Sequence, residues 1–154
     1  MVEELTASAE IAAPPSVVWA VLADLPRYGE WNPFTPRAEG RLAVGESILL
    51  HIQLGRAARL RTQSQRIVEL SPERALVWET RVLHPALLRA SRLQSITALA
   101  AGGTRYDSRD RMEGVLVPLV MGLYRRSLVQ GFSAMAEALR RRAEQLAAGL
   151  SGRP

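Results

Sequence analysis

Residues 105–113 read Arg105-Tyr106-Asp107-Ser108-Arg109-Asp110-Arg111-Met112-Glu113, and shortly after them residues 118–149 read PLVMGLYRRSLVQGFSAMAEALRRRAEQLAAG. Every odd position of the first stretch is charged, and a strand turns successive side chains to opposite faces, so the odd positions face water. Tyr106, Ser108, Asp110 and Met112 are left to face inward. The second stretch places Met121, Tyr124, Leu128, Phe132, Met135, Leu139, Ala143 and Leu146 at spacings of three and four. That stripe predicts a helix from near Pro118 to near Gly149, about 45 Å long, with one face buried along its whole length. Its other face carries Arg125, Arg126, Gln130, Ser133, Glu137, Arg140, Arg141 and Glu144, a solvated surface with favourable Glu137–Arg141 and Arg140–Glu144 spacings. A strand with one buried face, followed by a helix that needs a long apolar cover, predicts a sheet wrapped around that helix.

The upstream text supplies the rest of the sheet. Leu5, Ala7, Ala9 and Ile11 alternate with Thr6, Ser8 and Glu10, the pattern of a half-buried strand. Pro14-Pro15-Ser16 ends it and opens a short helix over Pro15 to Ala23, since the first amides of a helix need no intrahelical partner. Asp24 reads as the N-cap of a second short helical turn through Glu30, which must stop before Asn32-Pro33. From Arg37 to Glu113, turn signals at Gly40, Val44-Gly45-Glu46, Gly55, Ser71-Pro72-Glu73, His84-Pro85 and Gly102-Gly103 divide the chain into about six strands. Ile48, Leu50, Ile52 and Leu54 form one buried face, and Leu76, Trp78, Thr80 and Val82 another. Neither parity prevails in Ala58 to Leu70, where a bulge is expected, or in Ala90 to Ala100. The expected architecture is an α+β helix-grip fold: a curved antiparallel sheet of about seven strands around a long C-terminal helix, with two short helices after the first strand. Residues 1–150 form a single ligand-binding domain in this reading, and 151–154 a flexible tail.

Composition narrows the function classes. The 154 residues contain no cysteine, which excludes thiolate catalysis, disulfides and iron–sulfur ligation. The net charge is +5, yet all 20 basic residues are Arg and they are scattered over strands and helix alike. No zinc finger, RNP-type aromatic strand or helix-turn-helix pattern accompanies them, so no nucleic-acid partner is expected. His51 stands on the parity opposite the buried face of its strand and His84 precedes Pro85 in a turn, so no metal site is expected. The acidic start Met1-Val2-Glu3-Glu4-Leu5 and the short apolar run Gly114 to Tyr124 predict a soluble cytoplasmic protein without stable membrane insertion. Nothing in the pattern decides between monomer and dimer.

Several segments together resemble the START-like, polyketide cyclase/dehydrase superfamily, which includes the birch-pollen-allergen fold. They are Ile11-Ala12-Ala13-Pro14-Pro15-Ser16-Val17-Val18-Trp19, Leu22-Ala23-Asp24 and Tyr28-Gly29-Glu30-Trp31-Asn32-Pro33-Phe34. Val44-Gly45-Glu46, Leu76-Val77-Trp78, Gly102-Gly103-Thr104-Arg105, Gly114-Val115-Leu116 and residues 132–139 follow in the family's order and approximate spacing. The resemblance implies a hydrophobic cavity between sheet and C-terminal helix, used for binding lipids or hormones and, in some members, for cyclisation or dehydration of polyketides. It does not choose among these.

Given such a cavity, the inward parities make Trp78, Thr80, Tyr106, Ser108, Asp110, Met112, Leu128, Phe132 and Met135 its expected lining. Gly131, unfavourable within a helix, suggests a need for space. Asp110 is the most informative polar position, because a buried carboxylate requires water, an Arg partner or a raised pKa. A bulge that turns it outward is the alternative. The resemblance places the cavity mouth at the loop carrying Tyr28, Trp31 and Phe34, which form either a gate or a plug under the helix. The sequence offers no Gly-x-Ser-x-Gly elbow and no convincing His–carboxylate pair, which favours a carrier or sensor of a hydrophobic small molecule, without cofactor, over an enzyme. The enzyme alternative is a cyclase in which Asp110 acts with Tyr106 or Arg92, a role the resemblance alone suggests. An interaction module with a closed core is the third.

Overall fold

The computed structural model describes residues 1–151. Its elements are β1 (Val2–Ile11), α1 (Pro15–Ala23), a 3-10 turn (Leu25–Glu30), β2 (Arg37–Glu39), β3 (Ser47–Ile52), β4 (Arg61–Ser71), β5 (Ala75–Val82), β6 (Leu88–Ala98), β7 (Thr104–Glu113) and α2 (Val117–Ser151). The strands form one seven-stranded antiparallel sheet in the order β1-β7-β6-β5-β4-β3-β2. The α+β helix-grip arrangement expected from the sequence is what the chain adopts.

Short turns explain the meander from β2 to β7, and the return of β1 to pair with β7 places the two short helices across one end. In β7 the alternation holds without exception: Thr104, Tyr106, Ser108, Asp110 and Met112 are buried, so Asp110 faces inward and no bulge turns it out. The register of β4 shifts between Ile67 and Glu69, the bulge that hid its inward face. In β6 the inward residues are Arg92, Gln94 and Ile96, two of them polar, which is why no apolar parity was visible there.

Some boundaries differ from expectation. Gly149 does not end α2, which continues to Ser151, and residues 152–154 of the expected tail lie outside the described ones. The Asp24 side chain makes no capping hydrogen bond; it lies 3.5 Å from the Arg27 guanidinium instead. Leu146, placed in the apolar stripe, is exposed, and Ala147, four residues beyond the buried Ala143, packs against the core in its place. Gly114, at φ +126°, joins β7 to α2 against the Leu87 carbonyl, where no side chain would fit.

Candidate functional site

The N-terminal half of α2 does not fill the trough of the sheet. A cavity of about 250 Å³ remains between them. Its apolar walls come from three directions: Leu50, Ile52 and Leu54 at the end of β3, Trp78, Thr80 and Val82 on β5, and Val120, Tyr124, Leu128 and Phe132 on α2. Gln63 and Gln65 of β4, and Ala90 and Ser91 of β6, complete the sides. Phe34 forms part of the floor, and local chemistry places it there. The Asn32 Oδ1 accepts the backbone N–H groups of Phe34 (3.1 Å) and Thr35 (2.9 Å), tightening the loop after the 3-10 turn. The Phe34 ring then meets Phe132 edge to face at 5.0 Å. Gly131 is what permits this, since a Cβ built there would overlap the Phe34 ring. The space Gly131 opens thus belongs to Phe34 and not to a ligand.

At the inner wall stands an ion pair. Arg92 and Asp110 are register partners on β6 and β7, and both are buried. Arg92 Nε lies 3.4 Å from Asp110 Oδ2 and donates to Ser108 Oγ at 3.0 Å, while the Ser108 hydroxyl donates to Asp110 Oδ2 at 3.2 Å. Arg92 Nη2 donates to Met135 Sδ at 3.3 Å, and the guanidinium carbon lies 4.6 Å from the Phe132 ring centroid and 5.9 Å from that of Phe34. Burial pushes the Asp110 carboxyl up to about 6, outweighing the opposing pull of Arg92 and of the Ser108 hydroxyl. The site therefore holds a permanent cation beside a carboxyl that exchanges its proton near neutrality, in walls that are otherwise mostly apolar.

Of the residues expected at the cavity, Phe34, Trp78, Thr80, Asp110, Met112, Leu128 and Phe132 line it. Five stand elsewhere. Tyr28 is fully buried beneath α1, its hydroxyl donating to the Leu22 carbonyl at 2.6 Å, so it is a plug and not a gate. Trp31 packs edge to face on Tyr28 at 5.1 Å and lines a separate surface groove with Pro33 and Ala138. Tyr106 is fully buried and donates to Gln94 Oε1 at 2.8 Å. Ser108 supports the ion pair from behind, and Met135, fully buried, lies under Arg92.

Nor does the opening lie at the Tyr28–Phe34 loop. The exposed lining residues are Arg61, Gln63 and Val82, which puts the mouth where β4 starts and β5 ends, beside the first turns of α2. Arg61 Nη2 donates to the Tyr124 hydroxyl at 2.6 Å across that mouth, with its guanidinium 4.9 Å from the Tyr124 ring centroid. Sequence reasoning undervalued Arg92 and overlooked the β3 wall as lining. The signal for the wall was present in the alternation of Leu50, Ile52 and Leu54. For Arg92 the signal is its register with Asp110, which becomes legible only once β6 is paired with β7.

Sheet and long helix define a helix-grip protein with a cavity between them. The sequence matches the model of the family described as "Polyketide cyclase / dehydrase and lipid transport" over residues 3–150, and the chain belongs to that family. A comparison with curated proteins finds no match. Solved structures share the fold at low identity. A START superfamily protein from Mycobacterium smegmatis is 18% identical, with 93% of this chain and 98% of that one covered and a TM-score of 0.69. The Zhui aromatase/cyclase from a Streptomyces species is 20% identical, with 92% and 96% covered and a TM-score of 0.63. Ara h 8.0201 is 10% identical, with 97% and 99% covered and a TM-score of 0.68. Among the described residues no helix is long and apolar enough to cross a membrane, and no group of three or more acidic or histidine side chains is placed to hold a metal ion.

Proposed function

We propose that this protein is a cytoplasmic carrier or sensor that binds a hydrophobic small molecule, such as a lipid or a polyketide, between its sheet and α2. The observation that carries the reading is the cavity itself: apolar walls with one buried Arg–Asp pair at the inner end, the usual composition of a small-molecule site. Its volume of about 250 Å³ falls just below the usual range of about 300–1,000 Å³, so a ligand longer than a small ring system must reach out through the mouth. The pair also states a preference. Arg92 offers donors to a carbonyl or carboxylate at the leading end of an otherwise apolar molecule.

A cyclase or dehydratase acting on a polyketone in the same cavity is the second reading. What favours it is the Asp110 carboxyl, held at about 6 beside a guanidinium that would polarise a carbonyl. Filling the cavity tests the first reading. Ala90→Phe projects a ring into the space from β6, so saturable quenching of Trp78 by an apolar arylsulfonate dye should disappear while the melting temperature stays within a few degrees of wild type. A wild-type protein that binds no dye, fatty acid or aromatic polyketone would overturn the reading. Turnover of a polyketone by wild type but not by Asp110→Asn would decide for the second.

A further inference from the structure

Three segments surround the mouth: the β3–β4 connection (residues 53–60), the β5–β6 turn (83–87) and the approach to α2 with its first turns (114–126). They meet there. Val115 and Leu116 donate their backbone N–H groups to the carbonyls of Ala86 and Leu87, and Arg61 clasps Tyr124. This end of the molecule exposes large apolar side chains that the cavity does not use. Leu83 is 93% exposed, Val115 69%, Leu123 65%, Leu119 60% and Leu60 50%. Leu83 also sits in the left-handed region at φ +60°, an unfavourable conformation for leucine that projects its side chain from the turn tip. Val115, Leu119 and Leu123, spaced by four, make an outward stripe beside the cavity-facing Val120 and Tyr124.

Charge is segregated in the same way. The sequence has no Asp or Glu in residues 47–68, 80–106 or 114–136, the three stretches that contain these segments, and they bring Arg56, Arg59, Arg61 and Arg126 to the mouth region, while Arg125 is paired with Glu3 of β1 at 3.0 Å. Apolar tips rising from separate loops beside Arg56, Arg59 and Arg61 suit a soft anionic surface that admits leucines and attracts arginines. We propose that the cavity mouth docks peripherally on a bilayer containing anionic lipid, with Leu83, Leu119 and Leu123 entering the interfacial layer and Arg56 and Arg59 among the headgroups. An apolar ligand then passes between bilayer and cavity without crossing water. The docking deepens the carrier reading but is measured separately from it.

The test is co-flotation of the purified protein with vesicles of phosphatidylcholine alone and of phosphatidylcholine with phosphatidylglycerol. Binding should appear on the mixed vesicles and fall as ionic strength rises. Arg56→Glu with Arg59→Glu should weaken it by at least about fivefold per arginine, and Leu83→Asp or Leu119→Asp should reduce it to the level of neutral vesicles. None of these residues lines the cavity, so dye binding should remain at the wild-type level in every variant. Wild-type protein that takes up dye yet ignores anionic vesicles would overturn the docking and leave the carrier reading standing. Equal binding to neutral vesicles, or binding unmoved by the leucine substitutions, would overturn it too. A dimer in sedimentation velocity that Leu119→Asp dissociates would assign the patch to a second copy of the chain instead.

Discussion

Replacing Asp110 by Asn removes one charge while preserving shape and the capacity to accept from Ser108, and two large effects then oppose each other. The substitution relieves the cost of holding a carboxylate out of water. It also strips Arg92, equally buried, of its counter-ion. The carboxyl titrates in the presence of Arg92, and its pKa is nonetheless raised from 3.8 to about 6, so burial exceeds the attraction. A shift of this size corresponds to about 3 kcal/mol between the two protonation states. In the sign convention of linkage, the folded state binds the proton more tightly than the unfolded one, so this group lowers stability as pH rises from about 4 to about 6, and its full cost is present above that window. Asparagine resembles the neutral form at every pH. Asp110→Asn should therefore be more stable than wild type at pH 7 by about 1–3 kcal/mol, a rise in melting temperature of at least a few degrees in a chain of this length. The difference should vanish near pH 4, where the wild-type carboxyl is itself protonated. Thermal and urea unfolding followed by circular dichroism at both pH values checks this. A loss of about 3 kcal/mol or more at pH 7 would instead mean that Arg92 without its partner is the dominant cost, the opposite balance.

The remaining expectations concern the cavity and its floor. Affinity for an apolar arylsulfonate dye, whose own charge does not titrate, should rise as pH falls through about 6, because protonating Asp110 frees the Arg92 guanidinium to meet the sulfonate; a fluorescence titration at pH 5 and pH 8 reads it, and Asp110→Asn should abolish the dependence. Gly131→Ala should destabilise the fold by about 1–3 kcal/mol and alter dye binding, since the new methyl group displaces Phe34 from the floor; unchanged melting and binding would show that the ring moves freely. Met135→Trp should destabilise by a similar amount of about 1–3 kcal/mol, because Met135 is enclosed beneath Arg92 with no free volume beside it; a variant as stable as wild type would show that the cavity extends further along α2.

Local sequence determined most of the architecture, and the reason is that periodicity reports burial directly whenever the inward residues are apolar and the outward ones charged. The alternation in β7 has five charged odd positions, and α2 has a stripe at spacings of three and four, so both elements and their faces were legible before any pairing was known. Proline and glycine marked the turns because they act within one or two residues of themselves. The same logic hid β6. Arg92 and Gln94 face inward, and what makes their burial tolerable is the Ser108–Asp110 pair and the Tyr106 hydroxyl on the neighbouring strand, partners 12 to 18 residues away with no local signature. Tyr28, Trp31 and Met135 carried the right chemistry for a binding site, yet which apolar residue fills the core and which borders empty space depends on how closely α2 approaches the sheet at each point. That distance is set by Gly131 and Phe34 packing into each other from opposite ends of the chain. The position of the mouth follows from it as well, since the sheet and α2 close on each other at Phe34 and Phe132 and remain apart towards Arg61 and Tyr124. Only the assembled fold decides such separations, because they are sums over contacts that no single segment contains.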